Sequence, residues 1–149
     1  RIDLRSGAYA LDLVPPMELS PTCRARLGDG RCGVDMAGRT RRVVAAGASG
    51  EDLQLQVAPA DAANLAGGRV RVLDGVLAGL DFGIVDVSGP LVHLDEPLPA
   101  ALEPGTRVRL SEGCDKRFAT CRGRFANAEA FDGEPFVPGA DTLVRYVDP

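Results

Sequence analysis

Tryptophan is absent from this 149-residue chain, histidine and lysine occur once each, as His93 and Lys116, and cysteine occurs four times. Each scarcity removes a class of function. With one histidine, a cysteine nucleophile has a single candidate base, and His93 lies in "PLVHLDEPL", where it reads as a strand residue. With no Trp, two Tyr and five Phe, stacking rings for bases are scarce, and a net charge of −4 opposes a general basic surface for nucleic acid. No apolar run approaches the roughly 20 residues of a membrane span, and the opening "RIDLRSGAYALDL" is not built as a signal peptide. Four cysteines are too few for a disulfide-dense secreted scaffold. The chain starts at Arg1 rather than methionine and is expected to be a piece of a longer or processed protein.

What is present is a hydrophobic content of 45%, enough for one soluble domain with a real core and a small second lobe. Three zones follow along the chain. Residues 1–35 hold an apolar opening, a break at Pro15 and Pro16, and "SPTCRARLGDGRCG". There Ser20 is a candidate N-cap, Pro21 a first helical residue and Gly28 a stop, so Cys23 is expected on a helix of two turns with Cys32 beyond the turn.

The middle zone, 36–111, reads as short strands: "RRVVAA", "DLQLQVA", "GRVRVLDG", "LDFGIVDVSG", "PLVHLDEPL" and "GTRVRL", with "PADAANLAGG" briefly helical. Six strands in roughly 70 residues, separated by Gly, Pro and Asp, predict a small antiparallel barrel or sandwich. In the last zone, 112–149, Cys114, Phe118, Cys121 and Phe125 are spaced to share one helical face. The tail holds Pro135, Pro138 and Gly139, which predict an irregular arm whose Phe131, Phe136 and Tyr146 pack on the chain's own cysteine lobe. The fold class expected is mainly β, a barrel or sandwich inserted between two short helical cysteine-containing segments.

Enzyme motifs are weak. Asp95 and Glu96 adjoin His93, but strand neighbours point to opposite faces and make no carboxylate pair. "GDG" at residues 28–30 ends a helix where a phosphate loop would begin one, and turn chemistry accounts for it.

The cysteines occur as C-x8-C and C-x6-C, Cys23 with Cys32 and Cys114 with Cys121. On one regular helix, Cys114 and Cys121 would have Cα atoms ~10 Å apart, beyond disulfide reach. A structural zinc typically uses C-x2-4-C knuckles, absent here, whereas a cubane iron–sulfur cluster holds its thiolates further apart and suits wide spacings better. Positive residues crowd both pairs: Arg24, Arg26, Arg31, Lys116, Arg117, Arg122 and Arg124. They could offset the charge of four thiolates around a metal centre. A zinc-bound four-cysteine binding module and an iron–sulfur redox protein remain open as alternatives.

"CRARLGDGRCGVD" together with "GCDKRFATCRGRFANAEAFDGEPFVPGAD" resembles the C-terminal part of a phage-associated family that includes the tail hub protein of gene transfer agents, more distantly similar to the tail tip protein L of lambda-like siphophages. The resemblance rests on both ends of the chain, the middle strands matching loosely, and the family's additional N-terminal domain is not expected within these 149 residues. It implies that Cys23, Cys32, Cys114 and Cys121 ligate a [4Fe–4S] cluster in a lobe made of 1–35 and 112–149. It further implies a non-enzymatic structural protein of the virion tail baseplate, assembled in the bacterial cytoplasm. The implied partners are a distal tail protein, a large fibre-bearing tip protein and two further copies of the chain around the tail axis.

Overall fold

A computed structural model describes residues 19–137. All six expected strands form: β1 (Thr40–Ser49), β2 (Asp52–Leu55), β3 (Arg69–Val72), β4 (Asp81–Ser88), β5 (Leu91–Leu94) and β6 (Arg107–Ser111). They close, every pair antiparallel, into a barrel of order β1-β2-β5-β4-β3-β6. Of the two architectures expected, the barrel is the one that forms, and closure removes the exposed edges that an open sheet would present.

Two long strands make the closure possible. The first half of β1, Thr40–Val44, pairs with β6, and its second half, Ala45–Ser49, pairs with β2 across a bulge at Ala46. Likewise β4 pairs with β3 through Asp81–Gly83 and with β5 through Ile84–Ser88, with a bulge at Val85. Each bulge bends its strand, so one chain segment turns the corner between two sheets. The hairpins β1–β2 and β4–β5 close through two-residue turns led by Gly50 and Gly89, at φ +63° and +61°.

Alternation fills the interior. Leu53 and Leu55, Val70 and Val72, Phe82 and Ile84, Val92 and Leu94, and Val108 and Leu110 are the buried members of their strands, joined by Ala45, Leu65, Leu77, Leu98 and Leu102. Val92 is wholly buried, at 0% exposure, and Val92→Ala is expected to cost about 2 kcal/mol. A shift in the urea midpoint at constant m measures it; no shift would mean that the barrel collapses around the vacated space.

The flanking segments depart from expectation. Residues 20–28 form no helix, only bends and turns. Their backbone groups bond to distant segments instead: Cys23 N–H donates to Lys116 O (2.9 Å), Arg24 N–H to Asp132 O (2.8 Å), and Glu134 N–H to Ser20 O (2.8 Å). A two-turn helix is marginal by itself, so three inter-segment bonds outcompete it.

The second expected helix is shortened to α1 (Phe118–Arg124), leaving Cys114 before it and Phe125 as its C-terminal cap. The break is at Lys116, whose φ of +63° cannot continue a right-handed helix. Asp115 then accepts bonds from Arg117 N–H (3.0 Å) and Thr120 Oγ1 (2.8 Å), an Asx-type turn that leads into α1. The regular-helix separation between Cys114 and Cys121 therefore does not apply. The brief helix after β2 is a single 3-10 turn, Ala62–Asn64. Among the described residues no helix is long and apolar enough to cross a membrane.

Candidate functional site

The four cysteines come from three places: Cys23 and Cys32 from the segment before the barrel, Cys114 from the strand exit after β6, and Cys121 from α1. The first segment reaches the others through the backbone bond Cys23 N–H to Lys116 O. Lys116 N–H in turn points at Cys114 Sγ (3.4 Å). Its ammonium caps the carbonyl of Ala25, a second tie between the same two segments.

The turn carrying Cys32 is organised by Asp29. Its carboxylate accepts backbone N–H bonds from Cys32 (2.8 Å), Arg26 (2.9 Å) and Arg31 (3.0 Å). Those bonds, with that of Cys32 largest, hold the Asp29 carboxyl below its ordinary range. On the other side Asn127 donates its side-chain amide to Cys32 O (2.5 Å) and reaches Cys32 Sγ (3.9 Å). Its own backbone carbonyl accepts the Cys121 thiol (3.1 Å).

Cys32 and Cys121 are buried, Cys23 and Cys114 half-buried, and all four are free thiols. Burial pushes the Cys121 thiol up first, and repulsion from Cys23, Cys114 and Cys32 adds to it. All four sulfurs therefore act within one electrostatic neighbourhood. They are neighbours rather than a closed cage: among the described residues no group of three or more His, Cys, Asp or Glu stands as a site that could hold a metal ion.

The expected cationic residues surround this neighbourhood, but their bonds run to oxygen. Arg24 pairs with Glu134 (2.7 Å) and Asp132 (3.9 Å), and the Glu134 bond raises its pKa above the ordinary value, with Cys23 a lesser contributor. Arg31 pairs with Asp132 (2.8 Å). Arg124 bonds Glu112 and the carbonyls of Gly113 (3.2 Å) and Asn64 (3.4 Å), and lies over the Phe125 ring at 4.7 Å, with Arg39 at 4.8 Å from the same ring. Arg26 borders a cavity of about 290 Å³ between the cysteine segments and the barrel, Arg117 precedes α1 without a side-chain cap bond, and Arg122 is exposed. The charge of Arg24 and Arg31, expected to serve sulfur, thus goes to carboxylates that clamp the C-terminal arm onto the first segment.

Of the arm's expected packing residues, Phe131 packs on α1 and Phe136 only touches it. Phe131 and Phe136 meet Phe118 edge-on, at 5.2 and 5.7 Å between centroids, though Phe136 stays 85% exposed. Pro138, Gly139 and Tyr146 lie outside the described residues. His93 stays on β5, where its Nδ1 meets Asp52 Oδ1 at 2.8 Å, and Asp95 accepts Gly83 N–H at 2.8 Å. Sequence reasoning missed Asn127, Asp29 as an organiser, and the carboxylates Asp132 and Glu134. A signal existed for Asp29, an Asx-type residue between two glycines, but none for Asn127.

Four soft sulfur donors on three segments suit thiophilic metals or iron–sulfur clusters rather than acid–base chemistry. The family described as "Phage conserved hypothetical protein BR0599" matches residues 63–141. A chain of the solved structure "Virion of native gene transfer agent (GTA) particle" is 35% identical, with a TM-score of 0.77 over 91% of this chain and 49% of that one. The present chain thus spans about half the length of that virion chain. No curated protein matches it.

Proposed function

The chain belongs to the family described as phage conserved hypothetical protein BR0599, and on that premise we propose that it is a structural component of a phage or gene transfer agent virion, the tail hub of the baseplate, stapled by a [4Fe–4S] cluster on Cys23, Cys32, Cys114 and Cys121. The single observation that carries the virion reading is the 35% identity and common fold with a chain of a gene transfer agent particle. The copy number of three around the tail axis and the neighbours, a distal tail protein and a fibre-bearing tip protein, come from the resemblance of the cysteine-bearing ends to tail hub proteins. Among the described residues no nucleophile–base pair stands in the cysteine neighbourhood, and the hub reading needs no catalysis.

What supports the cluster is the donor set: four free thiols, of which Cys121 has its pKa raised first by burial and then by repulsion from Cys23, Cys114 and Cys32. Thiolates that repel one another favour a cationic centre, because binding it relieves that repulsion. Bound there, the cluster supplies iron–sulfur bonds that cross-link the chain. The residues themselves do the rest: Cys32 and Cys114 bracket a loop of about 80 residues holding the whole barrel, so their common ligation restricts the unfolded chain. Lys116 N–H is already aimed at Cys114 Sγ, where it stabilises a thiolate.

The experiment is iron, zinc and acid-labile sulfide content of the full chain purified without air or added metal. About four irons per chain and no zinc are expected, with the iron lost in Cys114→Ala. One zinc and no iron would replace the cluster by a zinc module. For the hub, gold-labelled antibody on purified particles should decorate the tail tip; label on the capsid, or none on particles, contradicts it.

A further inference from the structure

Asn127 makes contact with both buried thiols at once. It follows Ala126, a non-glycine residue at φ +50°, which turns the chain back after α1. The reversal lets Asn127 N–H donate to Cys121 O (3.1 Å) while its carbonyl accepts the Cys121 thiol (3.1 Å). The side chain then crosses to the other segment, where Nδ2 donates to Cys32 O (2.5 Å) and lies 3.9 Å from Cys32 Sγ. One residue with a left-handed residue behind it therefore sets both the spacing of Cys32 and Cys121 and the polarity beside one sulfur. Positive φ at a non-glycine residue costs free energy, and such strain persists only where surrounding contacts over-determine it.

We infer that Asn127 is a positioning residue for the metal centre, fixing the separation of Cys32 and Cys121 and, through its amide N–H, setting the reduction potential of a cluster bound between them. The inference rests on the cluster reading above. An N–H aimed at a ligating sulfur stabilises the more negative, reduced form more than the oxidised one. Its removal makes the centre harder to reduce. The couple is a one-electron reduction by added dithionite, in which no bond of the protein forms or breaks.

Asn127→Asp keeps the shape, removes the donor and adds negative charge, while Asn127→Ala removes the donor alone. In the full chain loaded with iron, Asn127→Asp is expected to make reduction at least tenfold less favourable, about 59 mV for a one-electron couple, with Asn127→Ala shifted the same way by less. Loss of iron from either variant, with barrel unfolding unchanged, equally supports the positioning role. Full iron and an unshifted midpoint in both variants overturn the inference.

Alkylation by iodoacetamide of the metal-free chain gives a readout independent of the cluster. Asn127→Ala should raise modification of Cys32 and Cys121 at least tenfold over wild type and leave Cys23 and Cys114 as they were. A uniform change, or none, counts against positioning. If the wild-type chain binds no iron yet this selective change appears, the cluster reading fails and the positioning of the two thiols stands.

Discussion

Gly113→Ala is expected to destabilise the protein by about 3 kcal/mol or more, the upper end of what overpacking costs. Gly113 carries the chain from β6 to Cys114 directly over the backbone of residues 66–68. A Cβ there would stand 1.9 Å from Ala66 O and 2.4 Å from both Gly67 C and Gly68 N. All three are backbone atoms, so no side chain can swing aside, and two segments must separate. The separation also breaks Gly113 N–H to Asn64 O (2.9 Å) and moves the attachment point of Cys114. Urea unfolding of the metal-free chain measures the stability, and the rate at which iodoacetamide modifies Cys114 in the folded chain measures its displacement. Gly123→Ala is the control: nothing lies within 4 Å of its Cβ position on α1, and a gain of about 0.5 kcal/mol is expected. Equal midpoints for Gly113→Ala and wild type would show that the crossing is looser than its distances imply.

Glu112→Gln is expected to cost about 2 to 3 kcal/mol and to remove part of the protein's acid sensitivity. Glu112 is a buried carboxylate at the seam, bonded by Arg39 (2.9 Å) and by Arg124. Burial works against its ionisation, but the hydrogen bonds and charges of Arg39 and Arg124 outweigh it and leave the carboxyl below its ordinary range. A depressed folded-state value means stability that is fully present above the unfolded value, about 4.3, and is lost as pH falls through the folded value. Glu112→Gln has no such charge to lose. Its stability deficit against wild type should be full at pH 7 and shrink steadily below about pH 4. Asp29, Asp74, Asp115 and Glu134 are also held low, so both proteins lose stability in acid, and the difference between them isolates Glu112. A deficit independent of pH would assign Glu112 a packing role only.

The two sites are one mechanical unit. Glu112 and Gly113 sit between β6 and Cys114, Arg124 of α1 bonds both of them, and Arg39 approaches from just before β1. Strain or charge at this seam is therefore transmitted to the cysteines by short covalent paths.

Sequence and structure agree most closely in the barrel. "RVRV" and "RVRL" alternate at period two, as do "DLQL" and "LVHL", and Gly or Pro punctuates between them. A strand's alternation is a local property, since each side chain faces the core or solvent by its position alone, so these four were legible by period and β1 and β4 as short apolar runs between turn residues. The pairing of thiols at the two ends led to the expectation of one shared site, and Cys121 does feel Cys23, Cys32 and Cys114. What failed was helix length: Ser20 and Pro21 offer sound capping chemistry, and residues 114–125 a sound helical face. Both were overruled by bonds to segments more than ninety residues away, Cys23 to Lys116 and Arg24 to Asp132, which no local pattern encodes. Arg24 and Arg31 beside the cysteines are likewise matched to Glu134 and Asp132, and Asn127 to Cys32, by the tertiary meeting of the chain ends. By itself the sequence determined which residues could be strands and where four thiols lie along the chain. Only the tertiary structure decided which donors meet, because short segments with weak intrinsic helicity take the conformation that satisfies their backbone and charges against whatever the barrel brings beside them.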